Sequence, residues 1–137
     1  MTQEDKDLLL KDLCGRVPYR VKCKYDDRLI VNTLSVDFFW EKIEGYERYV
    51  NCTRKYDVEN IKPYLFPLSS MTEEQRKTLK VMCDWNDEEA DAQSILVLYQ
   101  KHFVMKSDVI DWLHKNHFDY RGLIPMGLAI DATRLNI

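Results

Sequence analysis

The sequence predicts an α+β fold: an N-terminal helix, a small antiparallel sheet of three or four strands, and a C-terminal helical half. Three observations carry that prediction. The chain opens on a capping residue followed by helically spaced leucines, strand-like patterning follows between residues 19 and 53, and two overlapping capping boxes at 70–75 begin a second helical stretch. At 137 residues, 45% hydrophobic and 31% charged, the chain has the size and composition of one globular domain, and roughly two thirds of the unfolded surface can be buried at that length. A single domain over 1–137 is therefore expected, with helix and sheet in 1–60, an extended connector at 61–71 and helices in 72–137.

Thr2 suits an N-cap, and Glu4, Asp5 and Asp7 lie in the first turn, where the helix dipole favours negative charge. Leu9, Leu10 and Leu13 give this helix an apolar face, and Gly15 with Pro18 reads as its stop. From Tyr19 the period changes to two: Tyr19, Val21, Cys23 and Tyr25 alternate with Arg20, Lys22 and Lys24, as in a half-buried strand. Asp26-Asp27 turns the chain into a partner strand at 29–34, so an antiparallel hairpin is expected. The aromatic-rich stretch 36–43 and a further strand at 46–53 complete the sheet, with Gly45 between them.

Pro63 and Pro67 each push the preceding residue toward extended geometry, so 63–67 is expected to cross the surface as a connector. Ser70 with Glu73 and Thr72 with Gln75 both form capping boxes; Thr72 is the preferred cap, and Leu79, Met82 and Cys83 form the buried stripe behind it. In 88–105, Ala92, Ile95, Leu96, Tyr99 and Phe103 fit one helix face while 95–99 equally fits a buried strand; the helix is preferred. Ser107 is read as the cap of a last helix with Val109, Ile110 and Leu113 inward, and Asn116 as its left-handed stop. Pro125 second and Gly127 fourth make 124–127 a turn, followed by a short strand at 128–130.

A net charge of −3 and a pI near 5.6 argue against a surface that is wholly a nucleic-acid footprint, while leaving room for a local basic face. Cys14, Cys23, Cys52 and Cys83 are irregularly spaced, without the paired spacing that nucleates zinc or redox sites, and free buried thiols are expected. Residues 1–6 lack the charge pattern and apolar run of a secretory signal, and no apolar run is long enough to span a bilayer. Residence in a bacterial cytosol is expected, without membrane association. The sequon at Asn51-Cys52-Thr53 is set aside on that ground.

No nucleotide loop, ligand cluster or nucleophile–base pair of recognised spacing is present, and no cofactor is expected. Asp111, His114 and His117 follow at three-residue intervals and are weak metal candidates; a histidine at a helix end interacting with the dipole is the plainer reading. Asp119, Tyr120 and Arg121 could present a guanidinium fork to a carboxylate or phosphate. They serve a fold equally well, with Asp119 capping a turn, Tyr120 burying its ring and Arg121 paired internally. Arg16, Arg20, Lys22, Lys24 and Arg28, with Arg48, Arg54 and Lys55 near Tyr46, Tyr49 and Tyr56, suggest a phosphate-binding face. Alternation puts the lysines and the strand tyrosines on opposite sides, which weakens base stacking there. Trp40 and Trp85 are candidate anchors for a protein interface.

Four segments carry a resemblance: KDLCGRVPY at 11–19, IKPYLFPLSSMTEE at 61–74, DWL at 111–113 and HFDYRGLIPMGLA at 117–129. In these the chain resembles a family of small uncharacterised proteins from gut-bacterial phages, prophages and related mobile elements. The resemblance implies mobile-element origin and cytoplasmic residence, and it transfers no catalytic or ligand-binding residue. Together with the missing catalytic motifs, it leads to the expectation of a non-catalytic accessory protein that engages a host protein as inhibitor or adaptor. A nucleic-acid or nucleotide binder using the basic hairpin is the alternative, and a small hydrolase with a site assembled by the fold is the third reading.

Overall fold

The computed structural model describes residues 2–25, 31–33, 61–85, 90–102 and 105–135. Within them the fold is α+β. Helix α1 (Gln3–Arg16) leads through a 3-10 turn (Val17–Tyr19) into strands β1 (Lys22–Tyr25), β2 (Val31–Thr33) and β3 (Ile61–Pro67). A second 3-10 turn (Leu68–Ser70) precedes α2 (Glu73–Met82), α3 (Ala92–His102), α4 (Ser107–Lys115) and the two-residue strands β4 (Phe118–Asp119) and β5 (Ile130–Asp131). The turn at 26–27, the strands expected at 36–43 and 46–53, and the side chains of Arg28, Trp40, Tyr46, Arg48, Tyr49, Cys52, Arg54, Lys55 and Tyr56 lie outside the described residues.

Local signals explain the helix starts. The Thr2 hydroxyl accepts from the Asp5 amide while the Asp5 carboxylate accepts from the Thr2 amide, and Thr72 and Gln75 form the same reciprocal pair ahead of α2. The third cap differs from expectation: Lys106 occupies that position without a side-chain bond, and Ser107 is the first helical residue. Two expected stops also move. Gly15 is helical, and the chain leaves the Pro18-containing 3-10 turn through Arg20 in the left-handed region (φ 57°), which delays the strand from Tyr19 to Lys22. After α4 the left-handed residue is His117 (φ 59°), while Asn116 remains at φ −96° and its amide side chain donates to the Trp112 carbonyl.

The sheet is mixed. Strand order is β2-β1-β3-β4, with β5 also on β3. The pair β1–β2 is antiparallel, as expected from the short acidic connection between them, and β1–β3 is antiparallel with Lys24 opposite Lys62. The pairings β3–β4 and β3–β5 are parallel. The Phe66 amide donates to the His117 carbonyl, whereas the neighbouring Leu65 carbonyl accepts from the Ala132 amide, so β4 and β5 take opposite edges of β3. The segment read as a surface connector is thus the strand at which the pieces meet. Proline geometry explains its extension; strands pair along both of its edges, and Ile61, Pro63, Tyr64 and Leu65 are buried, Ile61 and Leu65 against Leu9 and Leu13 of α1.

Two apolar clusters flank β3. Leu9 and Leu13 of α1 pack with Val21, Cys23, Ile61, Leu65, Leu123 and Leu128. Leu68, Leu79, Ile95, Tyr99, Val109, Leu113 and Phe118 form the second, which joins α2, α3 and α4. The ambiguous stretch is therefore helical at 92–102, where Ala92, Ile95, Leu96 and Tyr99 supply the buried face. The turn at 124–127 forms as expected, closed by the Gly127 amide on the Ile124 carbonyl at 3.0 Å, with Gly127 at φ 77°. The final strand falls at Ile130–Asp131, slightly later than the apolar run suggested.

Candidate functional site

The most polar buried assembly joins α1 to the chain that leaves α4. Asp12 and Arg16 lie one turn apart on the face that also buries Leu9 and Leu13, and both are fully inaccessible to solvent. The Arg16 Nε donates to Asp12 Oδ2 at 2.7 Å, and its Nη2 donates to the Phe118 carbonyl at 2.6 Å. From the other side Arg121 Nε donates to Asp12 Oδ1 at 3.0 Å. One buried carboxylate thus holds two guanidiniums, one from the next turn of its own helix and one 109 residues away in the chain. Both cations also lie against the Tyr120 ring, 4.9 Å (Arg121) and 5.6 Å (Arg16) from its centroid.

His114 completes the assembly, with its Nε2 at 2.8 Å from the Tyr120 hydroxyl. Burial, reinforced by the Arg16 charge, pushes its pKa down to about 4, so the ring is neutral at physiological pH. The Tyr120 phenol is shifted upward, chiefly by burial. Gly15 faces the imidazole so closely that a Cβ there would lie 2.5 Å from His114 Cε1. The glycine is explained by this approach and not by a helix stop. Among the described residues, buried Arg16 Nη1 and His117 Nδ1 find no hydrogen-bond partner. His117 too is held below its ordinary pKa, first by desolvation and then by the charges of Arg16 and Lys22.

The three weak metal candidates do not converge, and among the described residues no group of three potential ligands does. Helical spacing aligns Asp111 with His114, but α4 ends at Lys115 and the left-handed turn carries His117 off that row. His114 is occupied by Tyr120, and Asp111 lies beside the Tyr19 hydroxyl, whose pKa is raised by desolvation and by that carboxylate. Arg121 and Tyr120, expected as ligand contacts, are drawn into the internal assembly. Asp119 is buried and accepts from the Leu123 amide (2.9 Å) and the Ile124 amide (2.8 Å), which is the capping role expected of it. Sequence reading missed Asp12, and it placed Arg16 on the phosphate-binding face, whereas Arg16 is fully buried against Asp12; their four-residue spacing on an apolar helix face was the available signal.

Thiol chemistry is similarly subdued. Cys23 and Cys83 are buried and free, with burial pushing the first thiol up to about 12 and the second to about 11. Cys14, expected to be buried, is exposed because it falls on the solvent side of α1, away from Leu9 and Leu13.

A cleft of about 520 Å³ opens on another face. One wall is the 3-10 turn with Pro67, Leu68 and Ser69, and the opposite wall is Asp119, Gly122, Ile124 and Pro125. Arg76 of α2 and the start of α3 close its ends, and Arg76 is tied to Glu73 and to the Ala90 carbonyl. Its walls are stiff for local reasons: Pro67 and Pro125 restrict the backbone, and Asp119 ties down two amides of the far wall. Such a concave, partly apolar and preformed surface suits a bound segment or small molecule.

The expected basic face is represented by Arg20, Lys22 and Lys24. Val21 and Cys23 are buried, which turns Lys22 and Lys24 outward; Arg20 is exposed but precedes the strand. Among the described helices none is long and apolar enough to cross a membrane. No family model matches the chain, and neither a curated protein nor a solved structure matches it.

Proposed function

We propose that the chain is a non-catalytic accessory protein of a phage or mobile element that binds a host protein, as inhibitor or adaptor, by seating a segment of it in the cleft. The observation that carries this reading is the cleft itself: a preformed surface whose walls are fixed by prolines and by the doubly bonded Asp119. The disposition of the reactive side chains supports it. Asp12, Arg16, His114, Tyr120 and Arg121 are committed to one another, with the histidine discharged, and the buried thiols are held protonated.

Ser69 is exposed at the cleft wall, so Ser69→Trp fills the cleft without disturbing either apolar cluster. Affinity capture from host lysate should enrich one host protein on the wild-type chain and on a Lys22→Glu/Lys24→Glu variant, and lose it on Ser69→Trp. Equal capture by Ser69→Trp would remove the cleft from the proposal. Loss on charge reversal, with retention on Ser69→Trp, would move the function to the basic face.

A further inference from the structure

The register of β1 against β3 places Lys24 directly opposite Lys62, and Lys22 follows two residues along the same face. Lys22 and Lys62 are exposed, Lys24 is half-buried, and none of the three has a carboxylate partner among the described residues. Opposed like charges across a strand pair weaken it, so this face maintains a repulsion although the whole chain is net negative at −3. Arg20, exposed two residues ahead of Lys22 and outside the strand, is a further cation near that end of β1. Lys62 lay in the supposed connector, and its place beside the hairpin is visible only through the β1–β3 pairing.

We infer that this face binds the phosphodiester backbone of a single-stranded nucleic acid, at a site separate from the cleft. Lys22 and Lys24 stand roughly 7 Å apart along the strand and Lys24 and Lys62 roughly 5 Å apart across it. Among the described residues the patch is thus narrower than the roughly 6–12 Å grooves that separate the two backbones of a duplex, and it serves one strand. Lysines read charge and not base edges, so binding is indifferent to sequence. Neutralisation by phosphate also removes the Lys24–Lys62 repulsion, which no carboxylate among the described residues compensates.

Fluorescence anisotropy of labelled oligothymidylate with the full chain tests this. With three to four phosphate contacts, log K should fall against log salt with a slope of about −2 to −3. Lys24→Gln/Lys62→Gln should reduce the slope by about 1.4 and weaken binding to every sequence. Lys77→Gln/Lys101→Gln removes the same charge from exposed helical positions and should leave the slope unchanged, as should Ser69→Trp. Lys22 and Lys62 are exposed, and half-buried Lys24 has no ion pair among the described residues to lose, so circular dichroism should show all variants folded. No binding at about 50 mM salt with about 100 µM protein overturns the inference. So does an equal loss in both double variants, or tighter binding of a duplex of the same length.

Discussion

Asp12 is the residue whose loss the fold should tolerate least. It is fully buried and is the shared acceptor of Arg16 and Arg121, so Asp12→Ala leaves a fully buried Arg16 without a counter-charge. Breaking a buried pair from one side costs about 3–5 kcal/mol, and urea unfolding should show a loss of that size. His114 makes a separate prediction. Its native pKa of about 4 lies below the ordinary 6.5, so the unfolded chain takes up a proton that the native state refuses. The stability held by the neutral ring is complete above pH 6.5 and is lost as pH falls toward 4, reaching about 2 kcal/mol by about pH 5. His114→Gln should flatten the urea midpoint between about pH 7 and about pH 5 by that amount; an unchanged pH dependence would remove His114 as its source. The spacing of Asp12 and Arg16 was a signal for the first role, but the second was not readable from spacing, because the sequence placed His114 beside Asp111 and His117 while its actual partner is Tyr120.

Helix α1 shows how an element can carry a residue that opposes its own propensity. Alanine is preferred to glycine inside a helix by about 1 kcal/mol, so Gly15→Ala would stabilise an isolated α1. In the protein its Cβ would meet His114 Cε1 at 2.5 Å, and the ring is held by Tyr120. Overpacking of this kind costs about 1–3 kcal/mol, so a net loss in thermal stability is expected. In a His114→Ala background the clash disappears and the same substitution should become neutral or stabilising, a sign change that a double-mutant cycle measures. The other elements were more openly written. Thr2 and Thr72 carry their caps within a few residues, and the turn at 124–127 needs only its own proline and glycine. The cap of α4 was misplaced because Lys106 contributes no side-chain bond to mark it.

At the scale of the molecule, β3 is the seam. It pairs antiparallel with β1 and parallel with β4 and β5, and apolar clusters lie on both sides of it. Leu65 is fully buried there, and Leu65→Ala should cost about 2–5 kcal/mol. Because both clusters lean on this strand, circular dichroism and tryptophan fluorescence should shift to lower urea together; separated transitions would show that the clusters unfold independently. The parallel pairings were out of reach of local pattern: β4 and β5 are two residues each, too short to show alternation, and their partner lies more than fifty residues away in the chain.

What the sequence determined by itself was therefore local: the α+β class, the helix caps at Thr2 and Thr72, the alternation that turns Lys22 and Lys24 outward, the extension of 61–67 and the turn at Pro125. Each depends on backbone preferences and hydrogen bonds among near neighbours. The tertiary structure decided the rest: that 61–67 is central, that Lys62 joins the basic row, that Asp12 gathers two arginines and that two proline-bearing segments face each other across a cleft. Those facts depend on which distant segments share a strand edge or a buried charge, and no short-range signal in the chain specifies that choice.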